Sequence, residues 1–109
     1  MKMITAIVNR KDTAGVCDAL TENKFEFTKL ATTGGFLKAG NTTLMIGVED
    51  EQLEPVLSLI RHNCARRMER VPSIPSTEMS HIMYSTYPAE VMVGGAIVFV
   101  TEVCHFEKM

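Results

Sequence analysis

The rhythm of apolar and polar positions changes several times along the chain, and each rhythm predicts an element. Residues 1–8 are short and rich in Ile, Val and Met, and Asn9-Arg10-Lys11-Asp12 closes them. This predicts a strand buried on both faces or nearly so. Asp12 or Thr13 then caps a helix running to about Lys24, with Val16, Ala19 and Leu20 at helical spacing and Asn23 as its stop. Gly15 weakens that helix by up to about 1 kcal/mol relative to Ala. From Phe25 to about Thr33, Phe25 and Phe27 share one face while Glu26 and Thr28 share the other, which is strand periodicity. A glycine-bearing loop over residues 34–41 follows. Residues 42–48 then alternate Leu44, Ile46 and Val48 against Thr43, Met45 and Gly47, a further strand.

The clearest helix comes next. Leu53, Val56, Leu57, Ile60 and Cys64 form one apolar stripe, with Asp50 as the natural N-cap and Pro55 confined to the first turn. Arg61, Arg66 and Arg67 suit the negative pole of its dipole. Residues 69–88 lose all period and carry Pro72, Pro75 and Pro88 among Ser and Thr, a long loop of the kind that serves function. The end of the chain reads as two strands joined at Gly94-Gly95, the pair favoured in two-residue hairpins. The order β-α-β-β-α-loop-β-β predicts an α+β, ferredoxin-like βαββαβ domain with an added C-terminal hairpin. Helices cover one sheet face. The other face keeps apolar residues and calls for an oligomer.

Composition narrows the function classes. A chain of 109 residues, 46% apolar and 22% charged, fits one domain spanning 1–109 with a real core. Its net charge of −2 lacks the positive excess of nucleic-acid or membrane-surface binders. The longest nearly apolar stretch, residues 91–100, is far short of the roughly 20 residues of a membrane helix. The three cysteines (Cys17, Cys64 and Cys104) are odd in number and widely spaced, as reduced thiols of a cytoplasmic protein are.

The segment TKLATTGGFLKAGNTT, residues 28–43, is the most informative. It comes close to a phosphate-binding loop, but Asn41 stands where lysine is required and a strand follows instead of a helix. What remains has separate uses. Gly34 and Gly35 let a ligand approach the backbone. Phe36 can stack on a base, for about 1–3 kcal/mol. Asn41 offers donor and acceptor to a ring edge, and Thr28 offers a hydroxyl to phosphate or ribose. A plain glycine hairpin with Phe36 packed on a neighbour accounts for the same residues. Cys104-His105 and His62 with Cys64 lack metal-ligand spacing, so no metal is assigned. Glu49-Asp50-Glu51 reads as a helix N-terminus. Met79, Met83, Tyr84 and Tyr87 suit either closure over a ligand or packing on a neighbouring subunit. No nucleophile–base–orienter set can be placed from the sequence, although such sets assemble in space.

Together MKMITAIV, TKLATTGGFLKAGNTT-LMIGVED and YPAEVMVGGAIVFV resemble the PII-like cyclic di-AMP receptor family, the PstA/DarA type. The resemblance spans nearly the whole chain. It implies a homotrimer of ferredoxin-like subunits with cyclic di-AMP bound between them. It further implies no catalysis, no cofactor, and a signal relayed through the loops to an unidentified protein partner. Carried over by position, Thr28, Gly35, Phe36, Leu37, Asn41 and Gly47 match the ligand-contacting pattern, and Phe99 lies in a matching block. Phe36 and Leu37 would flank an adenine, Asn41 and the Gly47 backbone would read ring or exocyclic nitrogen, and Thr28 would help hold phosphate.

Three positions depart from that pattern. Lys24 replaces a usual asparagine, Glu26 a usual arginine, and Lys108 a usual glutamine. A carboxylate at 26 repels a dianionic ligand. A unit-charge contact at 4 Å is worth about 1 kcal/mol in water and about 4 kcal/mol near a protein surface. The reversal therefore corresponds to roughly tenfold to several hundredfold in affinity. Lys24, on or near the same strand face, and Lys108 offer attraction in return. Two alternatives stand beside the receptor: a PII-like trimer with altered or lost cyclic di-AMP binding because of Glu26, which takes another nucleotide or a constitutive partner, and a metal-handling protein on the same scaffold.

Overall fold

A computed structural model describes residues 1–32, 40–65, 67–71 and 89–109. The elements run β1 (Lys2–Asn9), α1 (Arg10–Glu22), β2 (Thr28–Thr32), β3 (Asn41–Val48), a 3₁₀ turn (Asp50–Gln52), α2 (Leu53–Asn63), β4 (Arg67–Val71), β5 (Ala89–Val93) and β6 (Ala96–Glu102). Four strands form a sheet in the order β2-β3-β1-β6, with every neighbouring pair antiparallel. The predicted α+β, ferredoxin-like class is the one observed.

Alternation sorts each strand into a core face and an open face. Ile4, Ala6 and Val8 of β1 and Leu44, Ile46 and Val48 of β3 point to the helices and are buried. Val16 and Leu20 of α1 and Val56, Ile60 and Cys64 on and just after α2 complete the core. Full burial of such a side chain stabilises by about 1.5–3 kcal/mol each. The stripe predicted for α2 is therefore the observed one, with Pro55 in the first turn.

Three local expectations change. The cap of α1 is Asn9, whose side-chain oxygen accepts from the Lys11 amide at 2.9 Å. Asp12 is instead buried and ion-paired to Arg67 at 3.0 Å. Asp50 leads a 3₁₀ turn, not the α-helix itself, and accepts from the Met1 ammonium at 3.1 Å. That bond holds the Asp50 carboxyl below its ordinary range. Asn23 does end α1, as expected.

The terminal hairpin is corrected too. Part of the expected loop 69–88 is strand β4, which pairs antiparallel with β5 in a separate two-stranded ribbon. Gly94-Gly95 joins the ribbon to β6 instead of turning a hairpin, and β6 lies against β1. The physical reason is where the turn's donor goes: the Gly95 amide donates to the Cys64 carbonyl. Both glycines have positive φ. A Cβ at Gly94 would lie 2.8 Å from the Ala65 carbonyl and 2.7 Å from the Arg67 guanidinium, so the root of the ribbon tolerates no side chain there.

Candidate ligand-binding site

The open sheet face gathers part of the expected site. Pairing sets Thr28 opposite Met45, Met45 opposite Thr5, and Thr5 opposite Phe99, a row crossing all four strands. At about 4.8 Å per strand, Thr28 and Phe99 stand roughly 14 Å apart along it. Phe25 and Phe27 turn to the core while Glu26 and Thr28 are exposed, so the predicted alternation runs through residues that precede β2 itself. Next to Thr28 opens a cleft of 410 Å³, within the range of small-molecule sites. Glu26, Phe27 and Thr28 form one side of it, and Met45 and Gly47 of β3 form its floor. Met1, Met3, Val103 and Phe106 close the far side.

Gly47 is the notable floor residue. Among the described residues, a Cβ built there meets nothing within 4 Å, and its φ is not positive. Neither the backbone nor the chain's own packing demands glycine.

The other expected residues fall elsewhere. Asn41 points to the same face of β3 as Gly47 but lies about 20 Å along the strand, at roughly 3.3 Å per residue. Phe99 is on the open face, two strands from Met45, and 47% exposed. Lys24 is not on a strand. It occupies the left-handed position after α1, φ 64°, and does not line the cleft. The Lys24 amide donates to the Thr21 carbonyl and the Phe25 amide to the Leu20 carbonyl, a Schellman closure that fixes it there. Lys108 is exposed in the tail after β6. Gly35, Phe36 and Leu37 lie outside the described residues, as do Met79, Met83, Tyr84 and Tyr87.

Phe106 was not singled out in the sequence, because the tail carrying it has no period to read. It is 63% exposed and lines the cleft. The Val103 amide, bonded to the Met1 carbonyl at 3.1 Å, holds the start of that tail against β1.

Elsewhere, burial pushes the Cys17 thiol up, against the nearby Lys29 ammonium, and pushes the Cys64 thiol up to about 11. His105 and Glu107 approach to 2.9 Å. No three His, Cys, Asp or Glu side chains converge as a metal site among the described residues. No helix among them is long and apolar enough to cross a membrane.

The described residues thus make a small α+β fold with an open sheet face and a cleft of ligand size. A family model described as cyclic-di-AMP receptor matches residues 1–109. The chain belongs to the cyclic-di-AMP receptor family. It is also similar to a crystal structure of a functionally unknown protein from Pediococcus pentosaceus, at 39% identity and a TM-score of 0.78. That match covers 99% of this chain and 96% of the other.

Proposed function

We propose that this protein is a signalling receptor that binds cyclic di-AMP on its open sheet face, between copies of itself, and relays occupancy through its loops to a protein partner. One observation carries the reading: in a chain matched end to end by the receptor family, Thr28 and Gly47 share one ligand-sized cleft. The interface follows from two further features. Leu30, Met45 and Phe99 leave 40%, 37% and 47% of their surface exposed on one sheet face, an apolar patch that a second copy would cover. Asn41 sits about 20 Å from Gly47, so a single ligand touched by both draws them from two chains. A homotrimer satisfies this. Cys17, Cys64 and Cys104 are all unpaired, which suits a cytoplasmic site of action. No catalytic step or cofactor belongs to the reading.

Titration calorimetry with cyclic di-AMP, alongside light scattering for the oligomer, tests it. A trimer that binds one cyclic di-AMP per chain supports the proposal. A monomer, or no heat at high micromolar ligand, contradicts it.

A further inference from the structure

One turn of α1 holds two segments that lie far apart in the sequence. On one side, the Arg10 amide donates to the Gly40 carbonyl at 3.3 Å. The Arg10 guanidinium also lies over Gly40: a Cβ there would stand 2.5 Å from its Nη2 and 2.9 Å from its Cζ. Gly40 has φ 98° and directly precedes Asn41, the first residue of β3. On the other side, the Asp12 Oδ1 accepts from the Arg67 Nη2 at 3.0 Å. Arg67 opens β4, so this contact holds the root of the ribbon. Arg10 and Asp12 share the first turn of α1, about 3 Å apart along its axis, and a hydrogen-bonded turn moves as a unit.

The ribbon side of this turn has a second arrangement within reach. The Asp12 side chain is 5% exposed, yet its Oδ2 has no hydrogen-bond partner among the described residues. The Arg67 Nη1 donates instead to the Ala65 carbonyl at 3.3 Å. Nη1 and Oδ2 both border the space that Gly94 leaves by lacking a side chain, 2.7 Å and 3.0 Å from its Cβ position. The observed ion pair is therefore end-on, through one carboxylate oxygen. A shift of Asp12 toward that space brings Oδ2 to Nη1 and gives the stronger two-bond fork. Gly94 and Gly95, both at positive φ, form the joint that lets β5 follow.

We propose that the first turn of α1 is a coupling element between the Gly40–Asn41 end of β3 and the β4–β5 ribbon. Arg10 follows the position of Gly40, and Asp12 passes the movement on by exchanging its end-on contact with Arg67 for a fork. This gives a route to the relay in the cyclic di-AMP reading above and rests on that reading. Neither Arg10 nor Asp12 lines the ligand-sized cleft, so both are positioning residues that act on the ribbon.

Amide hydrogen exchange of the ribbon strands, with and without cyclic di-AMP, tests the route in the parent, Arg10→Ala and Asp12→Asn. Glu22→Ala, at the far end of the same helix, is the control. Ligand should change exchange over residues 67–71 and 89–93 by about fivefold or more in parent and control. Arg10→Ala and Asp12→Asn should still bind cyclic di-AMP by calorimetry but hold that change below about twofold. Arg10 is exposed, so unchanged circular dichroism and melting temperature certify that variant even where Asp12→Asn fails to fold. A full ribbon response in folded Arg10→Ala overturns the route, as does a parent that binds ligand without a ribbon response. Either result leaves cyclic di-AMP binding intact. A parent that binds no cyclic di-AMP overturns the receptor reading and the route with it.

Discussion

Arg67, at the root of the β4–β5 ribbon, places its Nη2 3.0 Å from the Asp12 Oδ1, and Asp12 is buried to 5% side-chain exposure. The second carboxylate oxygen of Asp12 has no hydrogen-bond partner among the described residues. This pair ties the start of α1 to the ribbon. Removing the guanidinium leaves a buried carboxylate uncompensated, whereas the half-exposed Arg67 loses little itself. Arg67→Met should therefore cost about 1–3 kcal/mol in urea unfolding. Unchanged stability would show that the pair holds nothing together.

Lys24 adopts φ 64° in the Schellman closure of α1. A side chain with a Cβ is strained in that region, and asparagine tolerates it better than lysine. Lys24→Asn should raise stability by roughly 0.5 kcal/mol, and Lys24→Gly by up to about 1 kcal/mol. Denaturant midpoints at constant slope report it. A loss of stability in both variants would mean that the ammonium has a structural partner outside the described residues.

Gly47 separates folding from binding. Among the described residues nothing lies near its Cβ position, and its backbone is ordinary, so Gly47→Ala should leave the melting temperature unchanged or slightly raised. If a ligand lies against this strand, the added methyl group should weaken cyclic di-AMP by tenfold or more. Equal affinity in parent and variant would remove Gly47 from the site.

The core was legible in the sequence because burial imposes a period: the Leu44, Ile46, Val48 alternation and the Val56, Ile60, Cys64 stripe are the buried residues observed. The ribbon was not legible. Gly94-Gly95 carries the chemistry of a hairpin turn, and only the Gly95 bond to Cys64 reveals that its donor is spent on another segment. The cap of α1 was misplaced for a related reason: Asn9, Asp12 and Thr13 are all competent caps, and a distant arginine claims Asp12. Within the candidate cleft, alternation put Glu26 and Thr28 on one face, as the structure has them. Phe106 escaped because its position depends on the Val103–Met1 bond rather than on any repeat.

The thiols should react in order of exposure. Cys104 is exposed, Cys17 half-buried, and Cys64 is buried with its thiol donating to the Ile60 carbonyl at 2.6 Å. At neutral pH a maleimide should label Cys104 first and Cys64 only on unfolding. Cys64 also links stability to pH. Its folded value, about 11, lies above the ordinary thiol value of 9.0. Its contribution is therefore complete below pH 9 and is lost as pH rises toward 11. The unfolding free energy of the parent should fall across that window more steeply than that of Cys64→Ala. Parallel profiles would contradict the assignment.

The central claim is that this sheet face is where the nucleotide docks, and a crystal structure of the protein with cyclic di-AMP tests it most directly. The account predicts ligand density in the cleft between Thr28 and Gly47, with Asn41 of a second copy in contact with the same molecule. Ligand bound on the helical face, or touching one chain alone, would contradict it.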